Sequence, residues 1–108
     1  MIALTDRWYQ PSDSQGEEKA MFSLDIPADG NIGKDIKLEK EKWHTITFDW
    51  NFGEGSKCAV QIDGKMLIKK LPLNEPCENG ISYVRFRSLA IWPDNEGFLI
   101  ESVRAKVK

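Results

Sequence analysis

A chain of 108 residues with 41% apolar and 30% charged side chains has the make-up of one globular domain with a single core. Its net charge of −2 is scattered without a basic stripe, which argues against a nucleic-acid partner. No apolar run reaches the ~18 residues that cross a membrane, so no membrane partner is expected.

Turn signals punctuate the chain at Pro11–Gly16, Pro27–Asn31, Asn51–Gly55, Asp63-Gly64, Asn79-Gly80 and Pro93–Gly97. The segments between them are short, and none carries a helical stripe. Ala20–Ile26 alternates, with Ala20, Phe22, Leu24 and Ile26 on one face. Asp35–Glu39 reads as a short strand with Ile36 and Leu38 opposite Lys37 and Glu39. The charged run Glu39-Lys40-Glu41-Lys42 reads as a solvated turn rather than an active site.

From Trp43 to Trp50, His44, Ile46, Phe48 and Trp50 share one face, and Trp43, Thr45, Thr47 and Asp49 the other. As strand aromatics, Trp43 and Trp50 are expected to pack in the core or on the sheet. A second strand, Cys58 to Ile62, leads into Asp63-Gly64. A two-residue turn there would set Gln61 opposite Met66 and Val60 opposite Leu67, mixing apolar with polar. A three-residue bulged turn keeps Val60, Ile62, Met66 and Ile68 together and is the expected form. Pro72 ends the following strand, since proline has no ladder donor.

Ile81–Ser88 is predicted as a strand with Val84 and Phe86 inside and Tyr83, Arg85 and Arg87 outside. Gly97–Val107 is predicted as another, with a change of phase near Ile100. The sum is an all-β chain of roughly seven strands in two stacked antiparallel sheets.

Trp43-His44, Ile46, Phe48, Val60, Ile62 and Asp63-Gly64-Lys65 together resemble the laminin-G-like and concanavalin-A-like jelly rolls. Trp8-Tyr9-Gln10-Pro11, Ala20-Met21-Phe22, Gly80–Ser88 and Gly97–Val103 are similar to modules appended to Asp-box, sialidase-like extracellular proteins. The resemblance implies a β-sandwich of jelly-roll type spanning residues 1–108, cut from a longer secreted or periplasmic protein. The start Met1–Asp6 has no signal-peptide character, so a cytoplasmic chain is the other reading. The chain is shorter than typical jelly rolls, and the calcium-site carboxylates of laminin-G-like domains have no counterpart here. No metal or other cofactor is therefore expected.

Candidate chemistry is sparse. Glycoside hydrolysis needs two carboxylates about 5–10 Å apart, and the Glu-x-Asp-x-x-Glu strand of β-glucanases with this fold is missing. Glu17-Glu18 and Glu39/Glu41 lie in turn-rich or Lys-rich stretches, so a non-catalytic chain is expected. His44, the single histidine, reads as a packed residue hydrogen-bonded to backbone. Asp63 and Asp94-Asn95 are explained by turn chemistry without a calcium role. Two cysteines, Cys58 and Cys77, match no zinc spacing. Cys58 reads as a buried apolar residue, and a Cys58–Cys77 disulfide stays open.

The loop aromatics are the remaining lead. Trp8, Tyr9 and Trp92, with Asp94 and Asn95 beside Trp92, either cap the ends of the core or meet a ligand. Arg85 and Arg87, at i and i+2 on one face, either grip a carboxylate or form cross-strand ion pairs. These seven residues are the candidate ligand-binding set. The expected partners are a glycan, or a neighbouring catalytic domain of the same chain for which this module is a structural mate.

Overall fold

The computed structural model describes residues 1–5, 20–27, 29–32, 36–51, 56–74, 80–86 and 99–106. Within them the protein is all-β, with six strands and no helix. The strands are β1 Ile2–Thr5, β2 Phe22–Leu24, β3 Ile46–Trp50, β4 Cys58–Ile62, β5 Lys65–Leu71 and β6 Tyr83–Phe86. They form two three-stranded antiparallel sheets, ordered β2-β1-β6 and β3-β4-β5. The antiparallel two-sheet expectation holds at this level.

The second sheet follows from alternation. Pairing sets Ile46 opposite Ile62, Phe48 opposite Val60 and Trp50 opposite Cys58, so every inward residue of β3 meets an inward residue of β4. Such cross-strand pairs each contribute roughly 0.2–1 kcal/mol. Thr47 opposite Gln61 and Asp49 opposite Ala59 form the other face. Cys58, Val60 and Ile62 are buried, and Ile46, Phe48 and Trp50 pack against the same core.

The β4–β5 hairpin departs from expectation. Ile62 pairs with Lys65, so the turn holds only Asp63 and Gly64. Both have positive φ, 51° and 81°, as a type I′ turn requires and as aspartate and glycine tolerate best. Two irregularities fall later. Gln61 pairs with Met66 but Val60 pairs with Ile68, leaving Leu67 as an extra residue in β5. This bulge sets Ile68 opposite Val60, and the ladder slips a second time beyond it, so that Cys58 pairs with Leu71. Leu67 and Ile68 both pack against the core, while Met66, expected inside, is 47% exposed. β5 ends at Leu71, ahead of Pro72.

The first sheet was hidden in the sequence. Ile2-Ala3-Leu4-Thr5 suggested no strand, yet β1 is central, pairing β2 on one side and β6 on the other, and all four residues are buried. Leu4 lies opposite both Phe22 and Val84. Leu4, Met21, Phe22 and Leu24 join Cys58, Val60 and Leu71 in one cluster, so the two sheets share a core. A second cluster of Met1, Ala3 and Ala20 shows that this sheet is covered on both faces. The expected phase fails at its start: Ala20, expected with Phe22 and Leu24, lies in this second cluster, and Met21 lies with them in the first. A crossover ties the sheets together: beyond β5, Asn74 N–H donates to Met21 O at 2.9 Å, and Asn74 Nδ2 donates to Ser23 Oγ at 3.1 Å.

Three other expectations change. Of the expected strand Asp35–Glu39, Asp35 lies outside the described residues and residues 36–39 make no ladder strand; a lone bridge joins Asn31 to Lys37. Val84 is exposed rather than inside, in a strand that is the outer one of its sheet among the described residues. Residues 99–106 form no strand, and all of them are exposed.

The bridge near Asn31 depends on Gly30. Its φ is +77°, and Leu38 N–H donates to Gly30 O at 2.9 Å. A Cβ placed there would sit 2.5 Å from Leu38 O, a backbone atom with little room to retreat. We expect Gly30→Ala to destabilise the protein by about 2 kcal/mol, read as a lower urea midpoint. An unchanged midpoint would refute this.

Candidate binding site

Of the candidate set, Trp8, Tyr9, Arg87, Trp92, Asp94 and Asn95 lie outside the described residues. Arg85 is half-buried in β6, opposite Ala3. The expected Arg85/Arg87 grip and the Trp92 loop are therefore not brought into view.

A different aromatic is. Trp43, expected to pack in the core or on the sheet, is 65% exposed. The alternation of exposed and half-buried residues runs unbroken from Trp43 to Trp50, which puts Trp43 in phase with Thr45, Thr47 and Asp49 on the outer side. Trp50, in the opposite phase, packs against the core as expected. The polar character of the outer phase already pointed this way; the general preference of strand aromatics for packing pointed wrongly.

The backbone flanking Trp43 is held firmly. Asp63, at the hairpin turn, donates its N–H to Thr45 O at 2.9 Å, and its Oδ1 accepts the Thr45 N–H at 2.9 Å. Its Oδ2 lies 2.7 Å from His44 Nδ1. On the other side of the ring, His44 Nε2 lies 2.9 Å from the carbonyl oxygen of Glu39. Residues 44 and 45 are thus bolted to the hairpin, and His44 also reaches back across the turn that leads into Trp43. The backbone bond expected for His44 is present; the carboxylate bond was not foreseen. The β3–β4 register creates it, since Ile46 opposite Ile62 brings Thr45 and Asp63 together.

Beside this frame, the outer side of the sheet is mostly polar. Thr47, Gln61 and Met66 form a row across β3, β4 and β5. The row offers a hydroxyl, an amide and a thioether, on the side of β3 to which the phase also assigns Trp43.

Other groups show less. Asp29, Lys37, Glu39 and Lys40 line a shallow open cleft. Hydrogen bonds from the Asn31 backbone and side chain hold the Asp29 carboxyl below its usual range, and the Lys42 ammonium does the same for Glu39. Both carboxylates stay ionised at neutral pH, whereas a general acid needs a raised value. The run Glu39–Lys42 is an exposed turn, as expected. Cys58 is a free buried thiol, pushed up to about 11 by burial and then by Asp49, so it is a poor nucleophile. Cys77 lies outside the described residues. Among the described residues, no three His, Cys, Asp or Glu side chains gather where a metal could bind.

No family model, curated protein or solved structure matches this chain.

Proposed function

We propose that this chain is a non-catalytic accessory module of an extracellular carbohydrate-active protein, a β-sandwich of the concanavalin-A-like jelly-roll type that binds glycan weakly. One observation carries the reading: Trp43 stands 65% exposed, with the two residues after it bonded to Asp63, and His44 also in contact with the Glu39 carbonyl before it. A large apolar ring left in water on a rigid mount favours a ligand that covers it. Sugars suit such a ring, because their C–H faces stack on it while hydroxyls bond to groups such as Thr47 and Gln61.

Covering the ring contributes on the order of 1–3 kcal/mol, equal to roughly 5- to 150-fold in affinity. We expect the wild-type protein to be retained on a glycan array and Trp43→Ala to lose that retention with an unchanged melting temperature. No retention of the wild type on any glycan would remove the reading. The second reading, a structural module packed on a neighbouring domain, is favoured by the exposed Ile100, Val103 and Leu99, the last 82% exposed. It predicts retention by that domain instead.

A further inference from the structure

We propose that His44 is a pH-operated latch: its imidazolium ties the Glu39–Trp43 turn to the β4–β5 hairpin, and loss of its proton releases one of the two ties. The argument rests on what faces each ring nitrogen. Nε2 lies 2.9 Å from the Glu39 carbonyl oxygen, and Nδ1 lies 2.7 Å from the Asp63 carboxylate. A peptide carbonyl has no proton to give, and neither has an ionised carboxylate. Both contacts are hydrogen bonds only when both nitrogens carry hydrogen, which means the charged ring. A neutral imidazole has one N–H, so one of these short contacts would become lone pair against lone pair.

The charged groups around the ring are few. From the hairpin come Asp63 and Lys65, and from the turn come Glu39 and Lys42, which pair with each other. The two carboxylates lie below their usual range and the Lys42 ammonium above its own, so these three keep their charge through neutral pH. Among them, His44 is the group that changes.

The Asp63 bond first, then the Glu39 carbonyl, raise the proton affinity of His44 above the free-imidazole value of ~6.5, against a smaller burial cost. A raised group stabilises the fold fully below its unfolded value and loses that contribution as pH climbs through its folded value. Asp63 works in the other direction. Its value is lowered, so its share is present above the usual carboxylate range and lost as pH falls through the lowered value. The latch is therefore closed from mildly acid conditions to about pH 6.5 and opens toward alkaline pH. What it holds is the stretch carrying Trp43, so presentation of the indole becomes pH-dependent.

This inference is independent of the glycan reading, because its test reads the protein alone. In an NMR titration of the whole chain, we expect the His44 ring to titrate above ~6.5. The Thr45 amide and the Trp43 indole N–H should move with the same midpoint. Asp63→Asn keeps a residue suited to the type I′ turn and should lower the His44 midpoint. A wild-type His44 midpoint at or below ~6.5 would overturn the latch. So would Thr45 and Trp43 signals that stay flat through the transition.

Discussion

Leu4→Asp abolishes cooperative folding: the variant shows collapsed amide dispersion by NMR and no sigmoidal urea transition. Leu4 is 2% exposed, on the central strand, with Phe22 and Val84 on the strands either side and Cys58, Val60 and Leu71 in the same cluster. The described residues put no cation into that cluster to pair with a carboxylate. A carboxylate there is either ionised without a partner or forced neutral, and each route costs several kcal/mol. The whole stability of a domain this size is about 5–15 kcal/mol. Leu4→Ala, which removes bulk without adding charge, should cost about 2–5 kcal/mol and leave a foldable protein. A Leu4→Asp chain that unfolds cooperatively at the wild-type midpoint would show that β1 is not part of the core.

The second large effect is at Phe22. Its side chain is fully buried in β2, between the two sheets, with Met21 and Leu24 beside it. Phe22→Ala removes the largest of the fully buried side chains and leaves a cavity that neither sheet can close without breaking its ladder. The expected loss is about 3–5 kcal/mol. With a slope of roughly 1–3 kcal/mol per molar urea, the midpoint falls by about 2 M. Trp43→Ala, in the same assay, should stay within about 0.5 kcal/mol of wild type, as exposed positions do. Equal losses at the two positions would mean that the indole, not the phenyl ring, is packed.

The central hairpin was legible because its alternation is strict: Ile46, Phe48 and Trp50 against Cys58, Val60 and Ile62 leave one way to bury an apolar face. The Asp63-Gly64 turn after it was not, because the pairing slips only at Leu67 and again before Leu71, where no residue type announces it. β1 was not legible either. A four-residue strand covered on both faces has no polar alternation to show, and Ile2-Ala3-Leu4-Thr5 gains its meaning only from Phe22–Leu24 and Tyr83–Phe86 lying alongside. The site was half legible. The phase of the third strand already put Trp43 outside, among threonines, and packing preference was the weaker guide. The His44–Asp63 contact joins residues 19 apart and follows from the exact pairing of Ile46 with Ile62, which alternation alone does not specify.

The strand order carries a consequence for how the molecule is made. β3, β4 and β5 are joined by short connections, so that meander can form from local contacts before Tyr83–Phe86 has paired. β1, made long before, pairs with those late residues, and bringing Ile2 to Phe86 closes a loop around nearly everything between. The entropy of that closure falls on one edge of one sheet. Until it is met, the apolar residues of β1 must find shelter with β2 alone.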